Sequence, residues 1–70
     1  MERVYVESSN VQSIMYDPDN AILEIEFKKN GLIYQYYEVP QYEYDELMSA
    51  ESKGKYINTN IKKYRYQRIG

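Results

Sequence analysis

The chain has 70 residues and a mass of 8.5 kDa, which leaves room for one small domain and no second fold. It contains neither cysteine nor histidine, so disulfides, metal sites built on these residues and histidine-based catalysis are excluded. Tyrosine is in excess, with ten copies against one phenylalanine and no tryptophan. These limits favour a binding protein over an enzyme.

The formal net charge of -2 hides an uneven distribution of charge along the chain. Residues 1–51 hold all eleven acids and only three basic residues, a net charge of -8. Residues 52–70, the C-terminal segment, hold no acid and six cations: Lys53, Lys55, Lys62, Lys63, Arg65 and Arg68. Such a segment either contacts an anionic partner or compensates the acidic region of its own domain.

Apolar runs in the sequence reach only two or three residues, as at 21–23. This is too short for a membrane span or for the core of a signal peptide. Together with the absence of cysteine, it predicts a cytoplasmic protein that makes no contact with a membrane. We expect one domain over residues 1–70, with its core at about 8–68 and with frayed ends.

Alternation of apolar and polar residues predicts three antiparallel strands in the middle of the chain. The first covers residues 11–16 and ends at the turn-forming residues 17–20. Asn30 and Gly31 favour a two-residue type I′ turn between the second and third strands. Counting outward from that turn predicts two cross-strand pairs on one face: Phe27 with Tyr34, and Ile25 with Tyr36.

Helical spacing begins after the third strand. Pro40 suits a first helical turn, and Tyr44, Leu47 and Met48 form the predicted buried stripe. Gly54 is expected to end a helix in the left-handed conformation, and a second short helix is predicted at about 55–62.

The expected fold class is therefore α+β. It consists of a small antiparallel β-meander of three strands with one or two short helices packed on one face. Apolar and polar residues alternate again over residues 64–69, so the pattern also allows a fourth strand at the C-terminus.

The sequence motifs that would indicate a metal site or a catalytic site are incomplete. Asp17 and Asp19 begin like a calcium loop, but Ile22 and Lys28 replace its glycine and its closing glutamate. The acids at 24, 26, 45 and 46 are expected to lie on solvated faces. We expect no catalytic residue, no metal and no cofactor.

Basic residues mixed with tyrosines are typical of surfaces that bind single-stranded or looped RNA, because cations neutralise phosphates and aromatic rings stack on bases. The predicted phosphate contacts are Lys53, Lys55, Lys62, Lys63 and Arg65. The predicted stacking residues are Tyr37, Tyr56 and Tyr64. Tyr34 and Tyr36 are instead expected in the core or at its rim.

Short segments spread over Ser8 to Arg68 carry a resemblance to one known family. They are, in order, Ser8-Ser9-Asn10-Val11, Ile14, Tyr16-Asp17, Leu23-Glu24-Ile25-Glu26-Phe27, Gly31, Tyr34-Gln35-Tyr36, Val39-Pro40, Ala50, Ser52-Lys53-Gly54, Asn58, Ile61 and Tyr64. They closely resemble the KTSC domain, which is named for the C-terminus of some lysyl-tRNA synthetases and also occurs as a small free-standing protein of bacteria and phages. Met15 stands where the family usually has a glycine, a departure that bears on local packing.

The resemblance implies RNA binding only because the domain occurs at the C-terminus of some lysyl-tRNA synthetases. It implies no catalytic residue. Four residues match the family's motif without revealing whether they fold the domain or bind a ligand: Tyr34, Tyr36, Ser52 and Gly54. We therefore expect a non-catalytic module that binds tRNA-like or single-stranded RNA. The alternative is a small anionic ligand, such as a nucleotide, in a tyrosine-walled basic pocket. A protein partner or a homo-oligomer stays open as a third reading.

Overall fold

The computed structural model describes residues 3–70, which form a five-stranded antiparallel sheet with helices on one face. The strands lie side by side in chain order: β1 (Arg3–Tyr5), β2 (Val11–Asp17), β3 (Ile22–Phe27), β4 (Ile33–Tyr36) and β5 (Tyr66–Arg68). Between β4 and β5 come helix α1 (Gln41–Ser49) and helix α2 (Lys53–Tyr56), which continues as a π-helical turn (Ile57–Ile61). The predicted α+β class is confirmed.

Two strands flank the predicted three-stranded meander. The C-terminal strand that the sequence left open exists as β5. The N-terminal strand β1 was not predicted, and it pairs with residues 13–15 of β2. At the C-terminus the amides of Ile69 and Gly70 both donate to the carbonyl of Ile33, and the expectation of frayed ends stays a prediction, which at the N-terminus falls partly on residues 1–2, outside the described residues. The outer strands β1 and β5 thus pair with partners that are distant in sequence.

The turn between β3 and β4 differs from the predicted type I′ turn. Lys28 takes a helical conformation (φ -64°, ψ -40°), and Lys29–Gly31 form a 3-10 turn. The Phe27 amide donates to the Leu32 carbonyl at 2.8 Å and closes the loop. The observed pairs are therefore two residues from the predicted register: Leu23 with Tyr36, and Ile25 with Tyr34. A shift of two residues leaves each side chain on its predicted face.

The core lies between the sheet and the helices. Its buried apolar side chains come from the strands, the β4–α1 connection, helix α1 and the π-helical turn: Val11, Ile14, Tyr16, Leu23, Ile25, Tyr36, Val39, Leu47, Ile57 and Ile61. The predicted stripe of α1 contributes to it, with Leu47 fully buried and Tyr44 and Met48 packed against the cluster. Tyr16 joins sheet and helix, because its hydroxyl donates to the Val39 carbonyl at 2.6 Å and its ring stacks on Tyr44.

Helix α2 begins earlier than the predicted helix at 55–62. Ser52 caps it, with its Oγ accepting a hydrogen bond from the Lys55 amide at 3.3 Å. Gly54 consequently lies inside α2, and the prediction that it ends a helix in the left-handed conformation is wrong. Close packing is the constraint at this position, because a Cβ there would lie 3.1 Å from Asn10 Nδ2.

A polar network covers the sheet face opposite the helices. Glu24, predicted to be solvated, is only 7% exposed. It forms a salt bridge with Arg3 of the unpredicted strand β1, and Gln35 Nε2 donates to its other oxygen at 3.1 Å. Beside it, Ser13 Oγ donates to Glu26 at 2.7 Å. The carboxylates that are exposed as predicted lie on α1: Asp45 and Glu46.

Candidate ligand-binding cleft

An open cleft of about 340 Å³ lies between the helix-side face of the sheet and the helical segment that follows α1. The sheet and the β3–β4 loop supply one wall: Phe27, Leu32, Tyr34 and Tyr36. The helical segment supplies the facing wall: Gly54, Ile57, Asn58 and Lys62. Asn10 and Lys29 complete the lining. The cleft thus combines an apolar, aromatic wall with a few polar groups, as small-molecule sites do.

The helical wall presents a stripe of residues four positions apart. Gly54, Asn58 and Lys62 share one side of the segment, because residues at this spacing lie above one another on a helix. The π-helical turn is closed by a hydrogen bond from the Lys62 amide to the Ile57 carbonyl at 3.0 Å. Along this stripe Gly54 has no side chain, Asn58 offers an amide and Lys62 offers an ammonium group. Single π-helical turns of this kind are frequent at functional sites.

The aromatic wall is held in place by its neighbours. The Tyr34 ring meets Phe27 edge to face, with centroids 5.8 Å apart, and stacks on Tyr66 at 5.5 Å with an interplanar angle of 4°. Tyr36 is 2% exposed, and its burial, with Tyr34 and Tyr66 beside it, raises the pKa of its hydroxyl to about 12. The expectation that Tyr34 and Tyr36 lie in the core or at its rim is confirmed.

Two side-chain amides at the cleft are available to a ligand. Asn10 and Asn58 are both exposed. Neither amide makes a hydrogen bond to any other side chain or backbone group that the structure describes. Each can therefore offer both a donor and an acceptor to a bound molecule.

The six C-terminal cations fall into two groups. Four are exposed and form no ion pair with a carboxylate of residues 3–70: Lys55, Lys62, Arg65 and Arg68. The other two ammonium groups lie near oxygen atoms of the protein. Lys53 Nζ donates to the carbonyls of Met48 and Ala50 at 3.1 and 3.0 Å, and Lys63 Nζ lies 4.0 Å from Glu43.

Of the predicted phosphate contacts, Lys62 lies at the cleft itself. Arg68, which was not among them, pairs with Tyr34 across β4 and β5 and so shares the cleft side of the sheet. Lys29 lies in the lining as well. It was missed because it is distant in sequence from the cationic segment and only the β3–β4 loop brings it to the cleft.

Two of the predicted stacking residues use their hydroxyls inside the protein. Tyr56 and Tyr64 both donate to the carboxylate of Glu43, Tyr64 at 2.6 Å. Burial and then this carboxylate raise the pKa of both tyrosines above the ordinary value. The third, Tyr37, lies under the guanidinium of Arg65, whose Cζ is 5.6 Å from the ring centroid. The structure does not bring these three rings to the cleft.

Within residues 3–70 no group of three or more acidic side chains could hold a metal ion. No helix in that range has the length and apolarity needed to cross a membrane.

The fold and the cleft define a small α+β domain with a ligand-sized site between sheet and helix. Sequence comparison identifies its family: the KTSC domain model matches residues 7–66, and this chain belongs to the KTSC domain family. A crystal structure of a KTSC domain protein from Yersinia pestis superposes with a TM-score of 0.93 at 46% identity, covering 99% of this chain and 97% of that one.

Two similar proteins show the contexts in which such a chain occurs. An uncharacterized protein of Stutzerimonas stutzeri is 42% identical over 71 residues and matches over 99% of both chains. A lysine–tRNA ligase of Nostoc is 36% identical over 64 residues, which span 90% of this chain but 11% of the ligase. The same domain is therefore found as nearly a whole chain and as a small part of a large one.

Several residues that carry the family resemblance meet at the cleft. They are Asn10, Tyr34, Tyr36, Gly54 and Asn58. Ser52 of the same motif has a structural role as the cap of α2. The sequence signal for the cleft was thus the motif itself, but its segments are far apart along the chain, and only the fold shows that they converge.

Proposed function

We propose that this protein is a non-catalytic module that binds RNA, with the exposed cations of its C-terminal segment as phosphate contacts. The observation that carries the proposal is that four cations are exposed and lack a carboxylate partner within residues 3–70. Cations that only balanced the acids of their own domain would lie against carboxylates, since attraction weakens with distance. The arrangement therefore favours an external anionic partner over internal compensation.

The relative in Nostoc supports an RNA as that partner. It is a lysine–tRNA ligase, and the segment similar to this chain forms 11% of its length. Because a lysine–tRNA ligase acts on tRNA, a similar segment within it favours RNA over other anions as the partner of this chain. For the present chain we propose tRNA-like or single-stranded RNA as the ligand, in the cytoplasmic setting that the sequence predicts.

The proposed contacts differ in part from those predicted from sequence. Lys55, Lys62 and Arg65 are retained, and Arg68 joins them. The ammonium of Lys53 is occupied by two backbone carbonyls and that of Lys63 lies 4.0 Å from Glu43, so contact of these two residues with phosphate stays a prediction without geometric support. Stacking by Tyr37, Tyr56 and Tyr64 also stays a prediction, because their rings are engaged in internal contacts on at least one side.

Fluorescence anisotropy with a labelled single-stranded RNA of about twelve nucleotides tests the proposal. At low salt the protein should bind saturably, and Lys55→Gln and Arg65→Gln should each weaken binding. The matched control is Gln41→Glu, which makes the same change in net charge at the exposed start of α1. Absence of saturable binding, or equal loss in the control, would overturn RNA binding through these cations.

A further inference from the structure

One of the exposed cations, Lys62, lines the cleft, and the cleft indicates which part of an RNA the protein holds. We propose that it takes one nucleotide, with the base against the aromatic wall and the phosphate beside Lys29 and Lys62. This inference rests on the proposed RNA binding and names the unit that is recognised. At about 340 Å³, the cleft is at the lower end of the roughly 300–1,000 Å³ usual for ligand sites. It therefore suits a single nucleotide better than a longer stretch of chain.

The aromatic wall suits the flat face of a base. Phe27, Leu32 and Tyr34 present apolar surface to the cleft. The Tyr34 ring already has fixed neighbours in Phe27 and Tyr66. A wall that is ordered before the ligand arrives loses little side-chain entropy on binding.

The amides of Asn10 and Asn58 suit the edge of a base. Each offers a donor and an acceptor, and the base edges of unpaired RNA are open to such contacts. Gly54 lets the Asn10 amide lie close to α2, because a Cβ at position 54 would lie 3.1 Å from Asn10 Nδ2 and the amide would have to shift by a few tenths of an ångström. The glycine thus acts as a positioning residue for that amide.

The charge of the cleft suits a phosphate. Its described lining contains two lysines, Lys29 and Lys62, and no acid. Arg68 adds a third cation on the same face of the sheet, next to Tyr34. In a molecule with a net charge of -2, this local excess of positive charge marks a place for an anion.

Nuclear magnetic resonance titration of the full chain tests the inference. The probes are adenosine 5′-monophosphate, adenosine, inorganic phosphate and a single-stranded adenylate octamer. We expect saturable shifts of backbone amides at Asn10, Gly54, Asn58 and Lys62 with the monophosphate and with the octamer. Adenosine and inorganic phosphate should each bind more weakly than the monophosphate, since each makes only part of the contacts. Equal shifts with inorganic phosphate alone would overturn recognition of the base.

Variants separate the cleft from the rest of the surface. Asn58→Ala should weaken binding of the monophosphate by about fivefold or more, through loss of an amide contact, and Gly54→Ala should weaken it by less, because it only shifts the Asn10 amide. Gly54→Ala should stay folded, because alanine is the better helix former inside α2. Thr59→Ala is the matched control, because Thr59 is the exposed neighbour of Asn58 and does not line the cleft. Lys55→Gln should weaken the octamer but leave the monophosphate unchanged.

Failure of the inference and failure of the proposed function give different results. If the wild-type protein binds the octamer and both cleft variants bind it equally well, the cleft is not the nucleotide site, and RNA binding by the cations stands. If the wild-type protein binds no RNA, the proposed function is wrong. Shifts at the cleft with the monophosphate alone would then overturn the assignment to RNA and identify a free nucleotide as the ligand.

Discussion

Glu43 is a buried acid on α1, the helix that also carries the exposed acids Asp45 and Glu46. It lies in the first turn of α1, where the helix dipole favours an acid, and it is only 3% exposed. Its carboxylate accepts hydrogen bonds from Tyr56 and Tyr64, which are 13 and 21 residues further along the chain. It therefore joins α1 to the end of α2 and to the segment before β5.

Replacing Glu43 tests this role. Glu43→Gln keeps the size of the side chain but replaces a charged acceptor of two hydrogen bonds, so the free energy of unfolding should fall by about 1–3 kcal/mol in urea titrations. Glu51→Gln, at an exposed carboxylate, should change it by less than about 0.5 kcal/mol. Equal effects of the two variants would mean that the hydrogen bonds to Glu43 add nothing to stability.

Stability should also fall in alkaline solution. Burial raises the pKa of Tyr36 to about 12, and burial followed by Glu43 raises the pKa of Tyr56 and Tyr64. The unfolded chain then releases these protons near pH 10 while the folded protein retains them, so the stabilisation is complete below about pH 10 and is lost as pH rises above it. Unfolding measured between about pH 8 and 11 should show this loss, and Tyr64→Phe should reduce it. A flat profile for the wild type would contradict the assignment.

At the scale of elements, the junction between α1 and α2 explains the position of Lys53. Helix α1 has no basic residue in its last turn, and its terminal carbonyls need donors. The Lys53 ammonium supplies them by reaching back from the first turn of α2 to Met48 and Ala50. A cation that the sequence assigns to phosphate therefore stabilises a helix end.

The two roles of Lys53 are separable by experiment. Lys53→Met keeps the aliphatic stem and removes the charge, so stability should fall by about 0.5–2 kcal/mol, as measured by thermal or urea unfolding. RNA affinity of the folded variant should fall less than it does for Lys62→Gln. An unchanged melting temperature together with an equal loss of RNA affinity would instead support the phosphate contact predicted from the sequence.

Sequence patterns predicted the elements better than their ends and connections. Period-two alternation places Leu23, Ile25 and Phe27 on one face whatever the turn, so the faces were predicted correctly although the register was not. The Asn30-Gly31 signal failed because the helical conformation of Lys28 lengthens the loop. Strand β1 was missed because a three-residue strand has too little pattern of its own and depends on pairing with β2.

At the scale of the whole molecule, the acidic region (residues 1–51) and the cationic C-terminal segment (residues 52–70) are not joined by a set of ion pairs within the described part of the chain. Within residues 3–70, the only salt bridge between the acidic region and the cationic segment joins Lys63 to Glu43 at 4.0 Å. The sequence could show that the cations exist but not whether they pair, because pairing depends on contacts between α1, α2 and β5. The cleft could likewise not be predicted from the sequence, since its lining comes from three separate stretches of the chain, at residue 10, at 27–36 and at 54–62.

The salt dependence of RNA binding tests the central claim most directly. Four phosphate contacts to a single strand should give a slope of about -3 in a plot of log K against log salt concentration. Removal of one contact, as in Lys62→Gln, should reduce the steepness by about 0.7, while Gln41→Glu should leave it unchanged. A saturable wild-type titration with these slopes is the predicted result. No binding at low salt, or a slope near zero that Lys62→Gln does not alter, would contradict it.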